Sequence, residues 1–188
     1  MATIAACATA TVPPFPVSLT YTPDRNAQPV SGSEAVHVEV TVNDLRQEKN
    51  TLGEVSGGPQ TVSIFTNDDL AELIKSAIQS ELVDRDFELG SGNALVVVDL
   101  EGISVHRKIG ANPSARAEVI FKVQVEQKTG AVLYSREVDG TTSLALPHES
   151  GSGGSQHALN SALDDAVQRL MADPAFINAL LSTRKPGN

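Results

Sequence analysis

The chain has 188 residues and a mass of 19.7 kDa, and 40% of it is apolar, enough for one folded domain with a buried core. Its 14 Lys and Arg against 23 Asp and Glu give a net charge of −9, and only 4% of its residues are aromatic. This balance excludes a nucleic-acid groove, which needs clustered cations and stacking rings, and a single cysteine excludes an intramolecular disulfide and a multi-thiolate metal site.

Ile4-Ala5-Ala6-Cys7 matches the lipobox of bacterial lipoproteins: an aliphatic residue, two small residues, then the cysteine whose thiol is acylated. Residues 1–6 are read as the remnant of a lipoprotein signal peptide; they lack the basic n-region and the roughly 7–15 apolar residues of a full signal. Two or more acyl chains hold a protein on a bilayer stably, so Cys7 is the expected lipidation site. Residues 7–33 read as a tether, because residues 8–33 carry Pro13, Pro14, Pro16, Pro23 and Pro29 and only two charges, Asp24 and Arg25. Within that stretch Val17, Leu19 and Tyr21 alternate with Ser18, Thr20 and Thr22, the pattern of a short edge strand.

A single domain is expected over residues 34–182, with a flexible tail at 183–188. Its clearest strand is 34–42, where Val36, Val38, Val40 and Val42 share one face and His37, Glu39 and Thr41 the other. The polar turn Asn43-Asp44-Leu45-Arg46 follows, then weaker strands at 52–55 and 61–65. Leu70, Leu73, Ile74, Ala77, Ile78 and Leu82 recur at helical spacing and predict a helix ending near Asp84, capped by Thr66 or Asn67. Three long strands are predicted at 93–106, 115–126 and 131–146. Gly102 shifts the alternation of the first, which predicts a bulge, and a break at Asp139-Gly140 is expected in the third. Residues 149–155 read as a Gly/Ser loop, after which a helix opens at Ser155 or Gln156. It stops at Asp173-Pro174, where the aspartate caps and the proline starts one more short helix to Leu181. The sum is an α+β domain: an antiparallel sheet with two main helices on one face, in the order β-β-(β)-α-β-β-β-α.

Few residues invite chemistry. No two of the histidines at 37, 106, 148 and 157 have the spacing of a helical metal pair; His37 and His106 lie on predicted strands and would still need a carboxylate. Gly151-Ser152-Gly153-Gly154 lacks the third glycine of a dinucleotide fingerprint and the Lys-Ser/Thr of a P-loop. Asp68-Asp69 and Asp164-Asp165 are adjacent on helices, so their carboxylates diverge by about 100° rather than converge. No nucleophile-elbow pattern is present, and a non-catalytic protein without cofactor or metal is expected. The suggestive polar cluster is Asn43, Asp44 and Arg46, a local turn or a weak partner-binding site at the end of the best strand.

Several short motifs resemble the YajG-like family of bacterial outer-membrane lipoproteins. They are Val17-Ser18-Leu19-Thr20-Tyr21, Val42-Asn43-Asp44-Leu45-Arg46 followed by Leu52-Gly53, the helix from Leu70 to Leu82 leading into Phe87, and the segment from Ala158 to Leu181. Asp86 stands where the family pattern has a glycine before the phenylalanine. The resemblance implies an acylated protein on the periplasmic face of the outer membrane, and Ala8 after the cysteine agrees with outward sorting. It implies no catalytic residue. Two readings follow: an interaction module docking a periplasmic or envelope protein, with Glu39, Thr41, Glu118, Lys122 and Gln124 on an open sheet face, or an auxiliary protein for lipid transport with an apolar cavity. A hydrolase would need convergent polar groups with displaced pKa values in a cleft.

Overall fold

The computed structural model describes residues 14–57, 60–146 and 153–184. Among the described residues eight strands form one sheet: β1 (Phe15–Pro16), β2 (His37–Asp44), β3 (Thr51–Ser56), β4 (Val62–Phe65), β5 (Glu88–Leu89), β6 (Ala94–Lys108), β7 (Ser114–Gln127) and β8 (Val132–Ala145). Three helices accompany them, α1 (Leu70–Val83) after β4, then α2 (Gly153–Ala172) and α3 (Pro174–Ser182) after β8. The sheet is therefore mixed rather than purely antiparallel; α1 and α2 stand where the two main helices were expected, and α3 is the short helix expected after Asp173-Pro174.

The long strand β6 organises the sheet. One edge pairs along its length with β7, antiparallel, and β7 pairs in turn with β8. The other edge takes β2 and β3 end to end, both parallel to β6, with Val38–Asp44 against Ala94–Leu100 and Gly53–Ser56 against Val105–Lys108. A hairpin cannot make parallel pairs. The chain reaches β6 from β4 by way of α1, and such a crossover delivers the parallel register. The bulge predicted at Gly102 is present, between Leu100 and Gly102 in the β6–β7 register.

Alternation builds the core. Val38 and Val40 of β2, Val96, Val98 and Leu100 of β6, and Val119, Phe121, Val123 and Val125 of β7 are buried on the face covered by the helices. On α2, Ala158, Ala162 and Ala166 present a row of small buried side chains to β8. Gly140 completes that approach, since an added Cβ would lie 2.1 Å from the Ala162 carbonyl oxygen and 2.4 Å from the Ala166 nitrogen. The glycine therefore serves close packing, and β8 runs through Asp139-Gly140 without the expected break. Tyr134 meets Phe176 of α3 edge to face at 5.6 Å, which adds about 0.5–1.5 kcal/mol beyond area burial.

The helix ends are set by local chemistry. The cap of α1 is Asp69, whose carboxylate accepts from Glu72 N–H, while Thr66 Oγ1 accepts from Asp68 N–H one turn earlier. Asp173 caps α3 with Pro174 at its first position, as predicted. The glycines 153 and 154 and Ser155 belong to α2, so the expected loop does not extend through 155; residues 149–152 and His148 lie outside the described residues. At the end of α1, Phe87 N–H donates to the Leu82 carbonyl and Asp86 N–H to that of Val83, the pairing of a Schellman turn. Asp86 there has φ 66°, the one positive-φ residue other than glycine among those described. Asp86→Gly is expected to raise stability by about 0.5–1 kcal/mol, the relieved left-handed strain outweighing the freer unfolded chain. Thermal denaturation checks this, and a fall in Tm would show that the aspartate is unstrained.

Residues 17–33 are part of the folded body, not a spacer. Val17 and Leu19 are buried as their alternation suggests, but only Phe15–Pro16 forms a strand, parallel to β4. The following backbone bonds to side chains instead. Leu19 N–H donates to Asp68 Oδ2 (2.7 Å), Thr20 N–H to Asn160 Oδ1 (3.1 Å), Thr22 N–H to Asp164 Oδ1 (3.0 Å) and Asp24 N–H to Glu81 Oε1 (2.8 Å). The segment is thus a strap tied across α1 and α2. Both Asp-Asp pairs find structural work, Asp165 accepting from Thr141 N–H and bridging Arg169.

Candidate functional site

Consecutive strand residues point to opposite sides of a sheet, and this divides the Asn43, Asp44 and Arg46 cluster. Asn43 lies on the open face, where its Nδ2 donates to Asp99 Oδ1 at 2.9 Å. Asp44 and Arg46, two apart, lie together on the other side. Arg46 Nε donates to Asp44 Oδ1 (2.9 Å), Nη2 to Oδ2 (2.7 Å), and Nη2 also to the Lys49 carbonyl (2.7 Å). Burial pushes the Asp44 carboxyl up, but the Arg46 side-chain and backbone bonds and the charges of Arg46 and Lys49 hold it below the usual carboxylate range. Their side chains are 10% and 7% exposed, so this pair is a clasp closing the loop where β2 hands over to β3 along β6. Asn43 and Asp44 also line a cleft of about 610 Å³ with Lys49, Asn50, Asn67 and Asp68. Asp68 and Asp69 beside it are already engaged by the strap and by the start of α1.

The open face has a different character. The strand registers set out rows across the face: Glu39, Leu95 and Glu126; Thr41, Val97 and Gln124; and Asn43, Asp99, Lys122 and Glu137, each beside the next. Farther along, Ile120 lies between Gly102 and Asp139, and Glu118 between Ser104 and Thr141. The five residues expected on an open face, Glu39, Thr41, Glu118, Lys122 and Gln124, therefore share it. Gln124 Nε2 is 3.4 Å from Ser135 Oγ across the β7–β8 pair. Leu95, Val97 and Ile120, half-buried on it, were missed; Leu95 and Val97 occupy successive rows, and the Asp99–Lys122 row separates them from Ile120. Alternation sets Val96, Val98 and Leu100 on one face and so leaves Leu95 and Val97 on the other, but in the all-apolar run 94–98 no polar residue marks the second face as the open one. Ile120 did carry a signal, as the lone aliphatic residue at solvent parity in β7.

His37 and His106 stand at opposite ends of β6, roughly 40 Å apart at ~3.3 Å per residue, and do not form a pair. Each faces a carboxylate, His37 Nδ1 at 3.1 Å from Glu88 and His106 Nδ1 at 3.8 Å from Glu54. Displaced pKa values belong to groups holding the fold. Burial and the bond to Glu81 push the Tyr21 phenol up, and burial with the Asp173 bond does the same for Tyr134. Burial pushes the Asp164 carboxyl up against the pull of Thr22. Between sheet and helices, where a carrier would need a cavity, Phe121, Leu159, Leu163, Leu170 and Phe176 are fully buried and fill the space. Cys7 lies outside the described residues.

No curated protein matches the sequence. Among solved structures, a protein of Xanthomonas campestris superposes with TM-score 0.53 at 9% identity, over 89% of this chain and 95% of that one. At that identity the likeness speaks for the fold alone. A minor lipoprotein of Acinetobacter baumannii gives TM-score 0.49 at 10% identity, over 77% of this chain and 95% of its own. The sequence match is broader in meaning: residues 23–181 fit the family described as uncharacterized lipoprotein, from the strap to the end of α3. The chain belongs to that family, the YajG-like lipoproteins whose motifs it shares.

Proposed function

We propose that this lipoprotein is a non-catalytic docking module, held by acyl chains on Cys7 at the periplasmic face of the outer membrane and binding an envelope protein on its open sheet face. The observation that carries the reading is the face itself, which gathers Glu39, Thr41, Asn43, Glu118, Lys122 and Gln124 opposite the three helices. Membership of a lipoprotein family supports the anchor. The filled interior favours docking over lipid carriage. Because strand pairing begins at Phe15, the eight residue steps from Cys7 to Phe15 reach at most ~29 Å. A body kept that close to the bilayer meets membrane-bound partners at high effective concentration.

The test is made in cells with the full-length precursor. A photo-crosslinker at Thr41 or Gln124 is expected to trap a discrete partner, and one at Gln168, exposed on α2, is not. Cys7→Ser is expected to move the protein out of the membrane fraction and abolish the trapped product. Retention of the mutant in the pellet would refute the anchor, and crosslinks only from Gln168 would refute the face.

A further inference from the structure

Charge on the open face is lopsided. Glu39, Glu54, Asp99, Glu118, Glu126 and Glu137 lie on it against Lys108, Arg116 and Lys122, and Asp139 at its edge is engaged by Arg169 from α2 at 3.7 Å. Lys122 stands directly between Asp99 and Glu137, so it is already flanked by opposite charge. The carboxylates border an apolar centre. Leu95 has Glu39 on one side and Glu126 on the other, and Val97, in the next row, lies between Thr41 and Gln124; Ile120 stands apart, beyond the Asp99–Lys122 row. Such a surface sorts partners by sign. A second copy would set carboxylates against carboxylates, and an anionic lipid surface would be repelled in the same way.

Resting on the docking reading above, we infer that the open face takes a basic protein segment that brings an apolar side chain onto Leu95 and Val97. The cations of the partner meet the flanking carboxylates, and the apolar contact supplies the part of the affinity that salt does not screen.

The probe is a 12-residue peptide alternating lysine and leucine, titrated into the whole protein by NMR, with a lysine–serine peptide of equal charge for comparison. Expected is saturable binding of the lysine–leucine peptide that perturbs Thr41, Leu95, Val97 and Gln124 and is at least tenfold tighter than that of the lysine–serine peptide. Glu39→Lys with Glu126→Lys, the two carboxylates beside Leu95, should weaken it at least tenfold. The charge-matched pair Glu48→Lys with Asp84→Lys, exposed away from the face, should change it less than threefold. Equal weakening by both pairs, equal affinity for both peptides, or no binding would each overturn the inference. These outcomes are separate from failure of the docking reading: a crosslinked partner captured at Thr41 or Gln124 through an acidic or uncharged surface would sink the basic segment and leave the face standing.

Discussion

Glu81→Ala is expected to lower the stability of the protein by about 3–5 kcal/mol, near the upper end of what one substitution does. Glu81 sits on α1 with no exposed surface, and its carboxylate carries three loads. It pairs with Arg85 one turn later, accepts from the Tyr21 hydroxyl at 2.6 Å, and accepts from Asp24 N–H at 2.8 Å. Alanine leaves a nearly buried guanidinium without its close partner and two strap donors without an acceptor. The desolvation cost of those groups, not the net worth of the bonds, sets the size of the effect. Thermal unfolding should show a fall of roughly 10 °C or more for a chain of this size. Hydrogen exchange should rise first at Asp24 and along the strap, because those amides lose a local tie before the sheet opens. Glu81→Leu combined with Arg85→Met removes the charge and its partner together and should recover much of the loss. A single mutant with unchanged Tm would show that the network does not hold the strap.

Gly53→Ala is expected to cost about 3 kcal/mol or more, through two effects that glycine alone avoids. The residue has φ 146°, a conformation closed to L side chains, and a Cβ there would lie 1.9 Å from the Val105 carbonyl oxygen. That oxygen belongs to β6, and Gly53 sits at the bulge where β3 pairs with β4 on one side and β6 on the other. Relief would have to come from moving backbone, which both neighbouring strands resist. Gly130, with φ 86° and open space around it, is the control. Its alanine variant should lose only about 1–2 kcal/mol, from the backbone conformation alone. Chemical denaturation of the two variants separates the terms. Equal losses would mean that β3 and β6 do not approach as closely as the register places them.

Gly53 shows how far a motif could be read. It stood out in the sequence as part of Leu52-Gly53, yet its reason is a strand more than fifty residues away. The candidate site divides in the same way. The Asp44–Arg46 clasp was available from spacing, since strand residues two apart share a side, and so was its separation from Asn43. The apolar centre of the open face was legible only in part: the alternation of Val96, Val98 and Leu100 leaves Leu95 and Val97 on the opposite side, but only the pairing with β2 and β7 sets them among Glu39, Thr41, Gln124 and Glu126.

What the sequence determined by itself is what neighbours along the chain decide. Examples are the buried faces of β2 and β7, the helix from Leu70, the bulge at Gly102 and the Asp173-Pro174 start of α3. Tertiary structure alone decided that the sheet is mixed, that a proline-rich segment is a docked strap, and that Gly140 lies in a continuous strand beneath α2. The physical reason is common to all three. Their hydrogen-bond and packing partners come from other elements, up to 142 residues away in the case of Thr22 and Asp164, and no local period records which distant acceptor a backbone N–H will find.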